Sequence, residues 1–114
     1  MFKKDFPARI GLSLIVVFLA LQAVSASAAQ PVVVELFTSE GCSSCPPADA
    51  LLTQLNRIHM IGDTELILLE EHVEYWNSPG WTDHFSAPVY TQRQADYVRQ
   101  FRLETHYTPH MVVD

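Results

Sequence analysis

The chain has 114 residues, 48% of them hydrophobic, and a net charge of −6 with histidines neutral. Past residue 28, four arginines stand against twelve acidic side chains and no lysine remains. Phosphate binding needs clustered positive charge, so this balance argues against a nucleic-acid partner.

Residues 1–28 read as a secretory signal peptide. Lys3, Lys4 and Arg9 form a basic start, and residues 11–21 form an apolar run too short to span a bilayer comfortably. Ala26-Ser27-Ala28 supplies a small-x-small cleavage site. Cleavage leaves no stable membrane span and 86 residues, 29–114, enough for one small core. Export places them in the periplasm or outside the cell, where disulfides persist.

Residues 31–37 are β-branched and nearly continuous in apolarity, which predicts a central, buried parallel strand. A turn follows at 38–41. Pro46 and Pro47 suit the first turn of a helix, where a missing N–H costs little. Ala48, Leu51, Leu52, Leu55 and Ile58 continue that helix at apolar spacing, and it fades over 59–62. A second strand is expected over about 65–70, centred on Leu66-Ile67-Leu68-Leu69. An aromatic, turn-rich connection spans 71–87. A second helix is expected over 88–101, with Ser86 as N-cap and Val89, Tyr90, Tyr97, Val98 and Phe101 buried. Met111-Val112-Val113 opens a third strand.

This β-α-β-α-β order predicts an α/β fold with a mainly parallel sheet and right-handed crossovers. The chain stops inside the third strand, so the expectation is a domain truncated at its C-terminus, marginal and prone to aggregate through an open edge.

The chemistry concentrates in Thr38-Ser39-Glu40-Gly41-Cys42-Ser43-Ser44-Cys45-Pro46-Pro47, which holds both cysteines. A dithiol where a strand feeds a helix suits thiol–disulfide exchange, because the helix dipole and free backbone N–H groups stabilise a thiolate. Cys42, on the exposed N-terminal side, is the expected nucleophile. Cys45, inside the first turn, is the expected resolving thiol. Ser43 and Ser44 are placed to donate hydrogen bonds to a thiolate. An inert structural disulfide is the alternative. Half a zinc site is another, weak without a second cysteine pair. Glu35 is the odd residue in its apolar strand. If buried, it could accept a proton from Cys45 through water. Otherwise it reaches solvent at the sheet edge. His72 or His110 could complete a Cys₂His copper or zinc site, or be polar side chains satisfied by backbone. His59, His84 and His106 are expected in solvent.

Three segments carry a resemblance. They are residues 34–49, His72-Val73-Glu74-Tyr75-Trp76, and Tyr107-Thr108-Pro109-His110-Met111-Val112-Val113-Asp114. They resemble the thioredoxin-like superfamily and, more closely, the exported bacterial family of domain of unknown function 1223. The resemblance implies a thioredoxin-like core and a Cys-x-x-Cys redox motif. It also implies that Pro109 is a cis-proline facing the dithiol, where it would help to pair an extended substrate chain. A buried acid occupies a place similar to Glu35 in thioredoxins, although the spacing to the cysteine is one residue longer here. The resembled family is usually apolar before His72, where this chain has Glu70-Glu71, and it continues beyond the equivalent of Asp114. The expected activity is thiol–disulfide exchange on protein substrates. No organic cofactor or resident metal is required, because the dithiol carries the electrons.

Overall fold

The computed structural model describes residues 29–114. The signal-peptide reading of 1–28 lies outside the described residues. The elements are β1 (Val32–Thr38), α1 (Pro46–Ile58), β2 (Met60–Ile61), β3 (Thr64–His72), α2 (Pro88–Gln100) and β4 (His110–Val113). The sheet order is β2-β3-β1-β4. β1 is central, as its nearly continuous apolar run predicts. The fold is α/β, with a mixed, open, four-stranded sheet and two helices.

The sheet is not mainly parallel. β1 and β3 pair in parallel, from Val32 opposite Leu66 to Thr38 opposite His72. β4 runs antiparallel to β1, with Phe37 opposite His110 and Val34 opposite Val113. The return from α2 explains the reversal. Arg102 takes a left-handed φ of 55°, and the chain doubles back along the helix. The Gln94 side-chain amide then donates to the Tyr107 carbonyl at 2.7 Å. β4 therefore starts beside the end of β1 rather than its beginning. β2 was not legible in the sequence: two residues carry no period-two signal. It pairs antiparallel with the start of β3 around Gly62, whose φ is 60°.

Alternation along β1 divides the core between the two faces of the sheet. Val34 and Leu36 pack with Leu52 and Ala48 of α1. Phe37 packs with Val112, Val73 and Tyr97 of α2 on the other face. Each helix buries less than its apolar pattern implied. Leu51 and Ile58 of α1 are exposed, as is Val89 of α2, and Phe101 just past α2 is exposed too. The buried face of α2 centres on Gln94 and Val98. Ser86 is not its N-cap; that position is Ala87, and the Ser86 hydroxyl donates to the Asp83 carbonyl instead. Ile67 and Leu69, in the middle of β3, are exposed. Among the described residues, no helix is long and apolar enough to cross a membrane.

Candidate functional site

Cys42 and Cys45 form a disulfide with Cα atoms 5.4 Å apart. Cys45 sits at the N-cap of α1, with Pro46 at the first helical position. Its carbonyl accepts from Ala48 N at 2.9 Å and from Asp49 N at 3.0 Å. Pro46 and Pro47 carry no N–H, so the helix start offers a sulfur its dipole but few free donors. Ser44 brings a side-chain hydroxyl to the sulfurs. Its hydroxyl lies 3.5 Å from Cys42 Sγ and 3.4 Å from the Thr108 carbonyl.

The expected exposure of Cys42 is not found: it is 3% exposed, and Cys45 is 0% exposed. The aromatic connection closes over this corner. A Cβ built on Gly41, beside Cys42, would meet the Trp81 ring at 3.0 Å and Trp76 Cβ at 3.2 Å. Trp76 Nε1 donates to Thr108 Oγ1 at 2.8 Å, tying the same loop to the segment before β4. The Thr108–Pro109 peptide is cis. Through Ser44, the Thr108 carbonyl reaches the loop between the cysteines.

A second group of bonds fixes the turn that delivers Cys42. Asp83, 1% exposed, accepts from Glu40 N at 2.9 Å, Phe85 N at 2.9 Å, and Ser39 Oγ at 3.4 Å. His72 Nδ1 lies 2.7 Å from the same carboxylate. Burial pushes Asp83 up, but the hydrogen bonds from Glu40, His72 and Phe85 outweigh it and hold the carboxyl below its ordinary range. Ser39 Oγ accepts Gly41 N at 3.0 Å, and the Ser39 carbonyl accepts Cys42 N at 3.1 Å. Thr38 Oγ1 donates to Asp49 in the first turn of α1 at 2.6 Å. A cavity of about 410 Å³ opens beside these groups, lined by Glu40, Asp49, Glu70, His72, Phe85 and Tyr90.

Glu35 is buried, not at a solvated edge. Arg93 Nε and the Tyr97 hydroxyl donate to its two carboxylate oxygens. Glu71 is buried nearby, 3.7 Å from the same Arg93 nitrogen, and its second oxygen has no partner among the described residues. Burial and the neighbouring Glu35 charge raise the Glu71 pKa, against the pull of Arg93. Glu35 shares its sheet face with Phe37 and α2, whereas Cys45 opens the helix on the other face. The period of two that buries Glu35 thus gives it to Arg93 and Tyr97.

His110 is buried, its Nδ1 3.3 Å from Gln94 Nε2. Burial lowers its pKa, so the ring is neutral at neutral pH. Tyr75 completes this network by donating to Gln94 Oε1 at 2.9 Å. His59, His84 and His106 are exposed.

The structure thus gathers Cys42, Cys45, Ser44 and the Thr108–Pro109 peptide, and leaves Glu35 bonded elsewhere. Among the described residues, no group of three or more His, Cys, Asp or Glu side chains is arranged to hold a metal ion. The sequence alone does not mark Asp83, Arg93 or Gln94 as members of these networks. Gln94 left one readable signal, a polar residue in the apolar stripe of Tyr90, Tyr97 and Val98. Asp83 left none, because its partners come from three separate segments.

Fold and site define an α/β domain with a disulfide where the central strand hands over to a helix. The chain belongs to the family described as Protein of unknown function (DUF1223), whose model matches residues 33–114. A crystal structure of an Agrobacterium tumefaciens protein, a structural-genomics target, is 43% identical with a TM-score of 0.66. The match covers 77% of this chain and 37% of that one. None of the curated proteins matches.

Proposed function

We propose that this domain is a thioredoxin-like thiol–disulfide oxidoreductase, exported to the periplasm or the cell exterior and acting on protein thiols or disulfides. The observation that carries this reading is the Cys42–Cys45 disulfide at the start of α1, joined through Ser44 to the Thr108 carbonyl just before Pro109. In the reduced protein, the Cys42 thiolate attacks a partner disulfide. A mixed disulfide forms and one partner thiolate leaves. The Cys45 thiolate then attacks Cys42 Sγ, closing the internal disulfide and releasing the second partner thiolate. Two electrons pass to the partner, and the reverse sequence oxidises a dithiol. The Ser44 hydroxyl turns from the Thr108 carbonyl to the Cys42 thiolate when the bond opens. Pro109 shapes the groove in which the partner chain lies. Glu35 influences the couple only at a distance, because its own bonds go to Arg93 and Tyr97. With Cys42 3% exposed, displacement of the Trp76–Trp81 connection is a step of the exchange.

That burial also supports a second reading, a binding domain with a structural disulfide. The reduction potential of the intact protein separates the two. Equilibration with glutathione is expected to give a value above about −270 mV, and Cys45→Ser is expected to trap mixed disulfides through Cys42. A potential below about −300 mV, with no trapped partner, establishes the structural reading instead.

A further inference from the structure

We infer that Asp83 is a positioning residue for the Cys42–Cys45 couple: by holding the Ser39–Glu40 turn against β3 and the aromatic connection, it favours the disulfide over the dithiol. This rests on the reading of Cys42 and Cys45 as a redox couple. Three segments meet on the one buried carboxylate. Glu40 N and Ser39 Oγ bring the turn, His72 the end of β3, and Phe85 N the aromatic connection. Asn77 Oδ1 secures Asp83 itself by accepting its backbone N–H at 3.0 Å.

The link to the sulfur runs through Ser39. Its side chain accepts Gly41 N, and its carbonyl accepts Cys42 N. Cys45 is anchored independently by α1. How often the two sulfurs meet therefore depends on how firmly the turn holds Cys42. Fixing one thiol against another raises their effective concentration and so favours the closed bond. The charge acts in the same sense. A buried carboxylate beside this turn disfavours a thiolate on Cys42 and takes up two donors that a looser turn could offer to it. Both effects penalise the dithiol.

The test is the thiol–disulfide equilibrium of the full-length protein, wild type against Asp83→Asn, Ser39→Ala and His72→Asn. Glutathione is the redox buffer, replaced by dithiothreitol if glutathione leaves the disulfide closed. The redox fraction is read by alkylation and mass. Asp83→Asn keeps the shape but turns an NH₂ toward N–H donors, so its equilibrium should move about tenfold toward the dithiol, roughly 30 mV. Ser39→Ala removes one link and should move it about threefold the same way. His72→Asn keeps a donor to Asp83 and should stay within about twofold of wild type.

An Asp83→Asn equilibrium within about twofold of wild type overturns the inference, even if the variant melts earlier. A role in scaffolding alone lowers both redox forms alike and leaves their ratio unmoved. If Asp83→Asn does not fold, Ser39→Ala decides, and an unshifted equilibrium there overturns the inference equally. A wild-type disulfide that resists glutathione removes the oxidoreductase reading, while the shift in dithiothreitol still decides the role of Asp83.

Discussion

Two buried acidic groups, Asp83 and Glu71, meet opposite fates in this small domain. Asp83 is enclosed beside the cysteine turn and has donors on both oxygens. Glu71 is enclosed on the α2 face, shares Arg93 with Glu35, and leaves one oxygen without a partner among the described residues. The first is held below the ordinary carboxylate range and the second is pushed above it. Burial is common to both, so burial does not decide the charge. The number of donors facing the oxygens does. The Asp83 site is a junction that needs its charge. At the Glu71 site one cation must serve two carboxylates.

Removing that cation should have the largest effect. Arg93→Leu leaves Glu35 and Glu71 buried together without a counter-charge. The expected loss is about 3 kcal/mol, at the lower end for a broken buried pair because the Arg93 side chain is half exposed. Urea unfolding at neutral pH measures it. An unchanged midpoint would mean that the two acids are already neutral without Arg93.

Asp83→Asn should cost about 2 kcal/mol at neutral pH, as expected for lost hydrogen bonds to a buried charge. Its pH dependence is the sharper test. The folded pKa of Asp83 lies below its ordinary 3.8, so its stabilisation is complete above that value and fades as pH falls through the folded pKa. The gap between wild type and variant should not narrow from pH 7 to pH 5 and should close only in stronger acid. A gap already closing at pH 6 would contradict the assignment.

The smallest effect should have the opposite sign. Glu71→Gln removes a charge that has too few partners and should stabilise the domain by roughly 1 kcal/mol at pH 7. A raised folded pKa means that the wild-type penalty is absent below the ordinary 4.5 and grows as pH rises through the folded value. Thermal unfolding at pH 4 and pH 7 should show the benefit only at the higher pH.

The strand and helix that carry the cysteines were legible because their signals are local. Val32-Val33-Val34, the paired prolines, and Ala48, Leu52 and Leu55 at helical spacing each declare an element within a few residues. Local signals mislead where the answer depends on what packs alongside. They leave Cys42 exposed, because nothing in the sequence near it shows Trp81 lying against Gly41. They give Val89 and Phe101 to the core, because helical spacing marks an apolar face but not how much of it the sheet covers.

By itself, the sequence determined the dithiol, its place between strand and helix, the acidic balance, and the α/β order of elements. These follow from residue type and periodicity. The tertiary structure alone decided that β4 runs antiparallel, that Glu35 faces Arg93 and Tyr97, and that Asp83 joins three segments at the cysteine turn. Each depends on contacts between residues far apart in the chain, and no local pattern encodes which distant partner closes a turn or neutralises a charge.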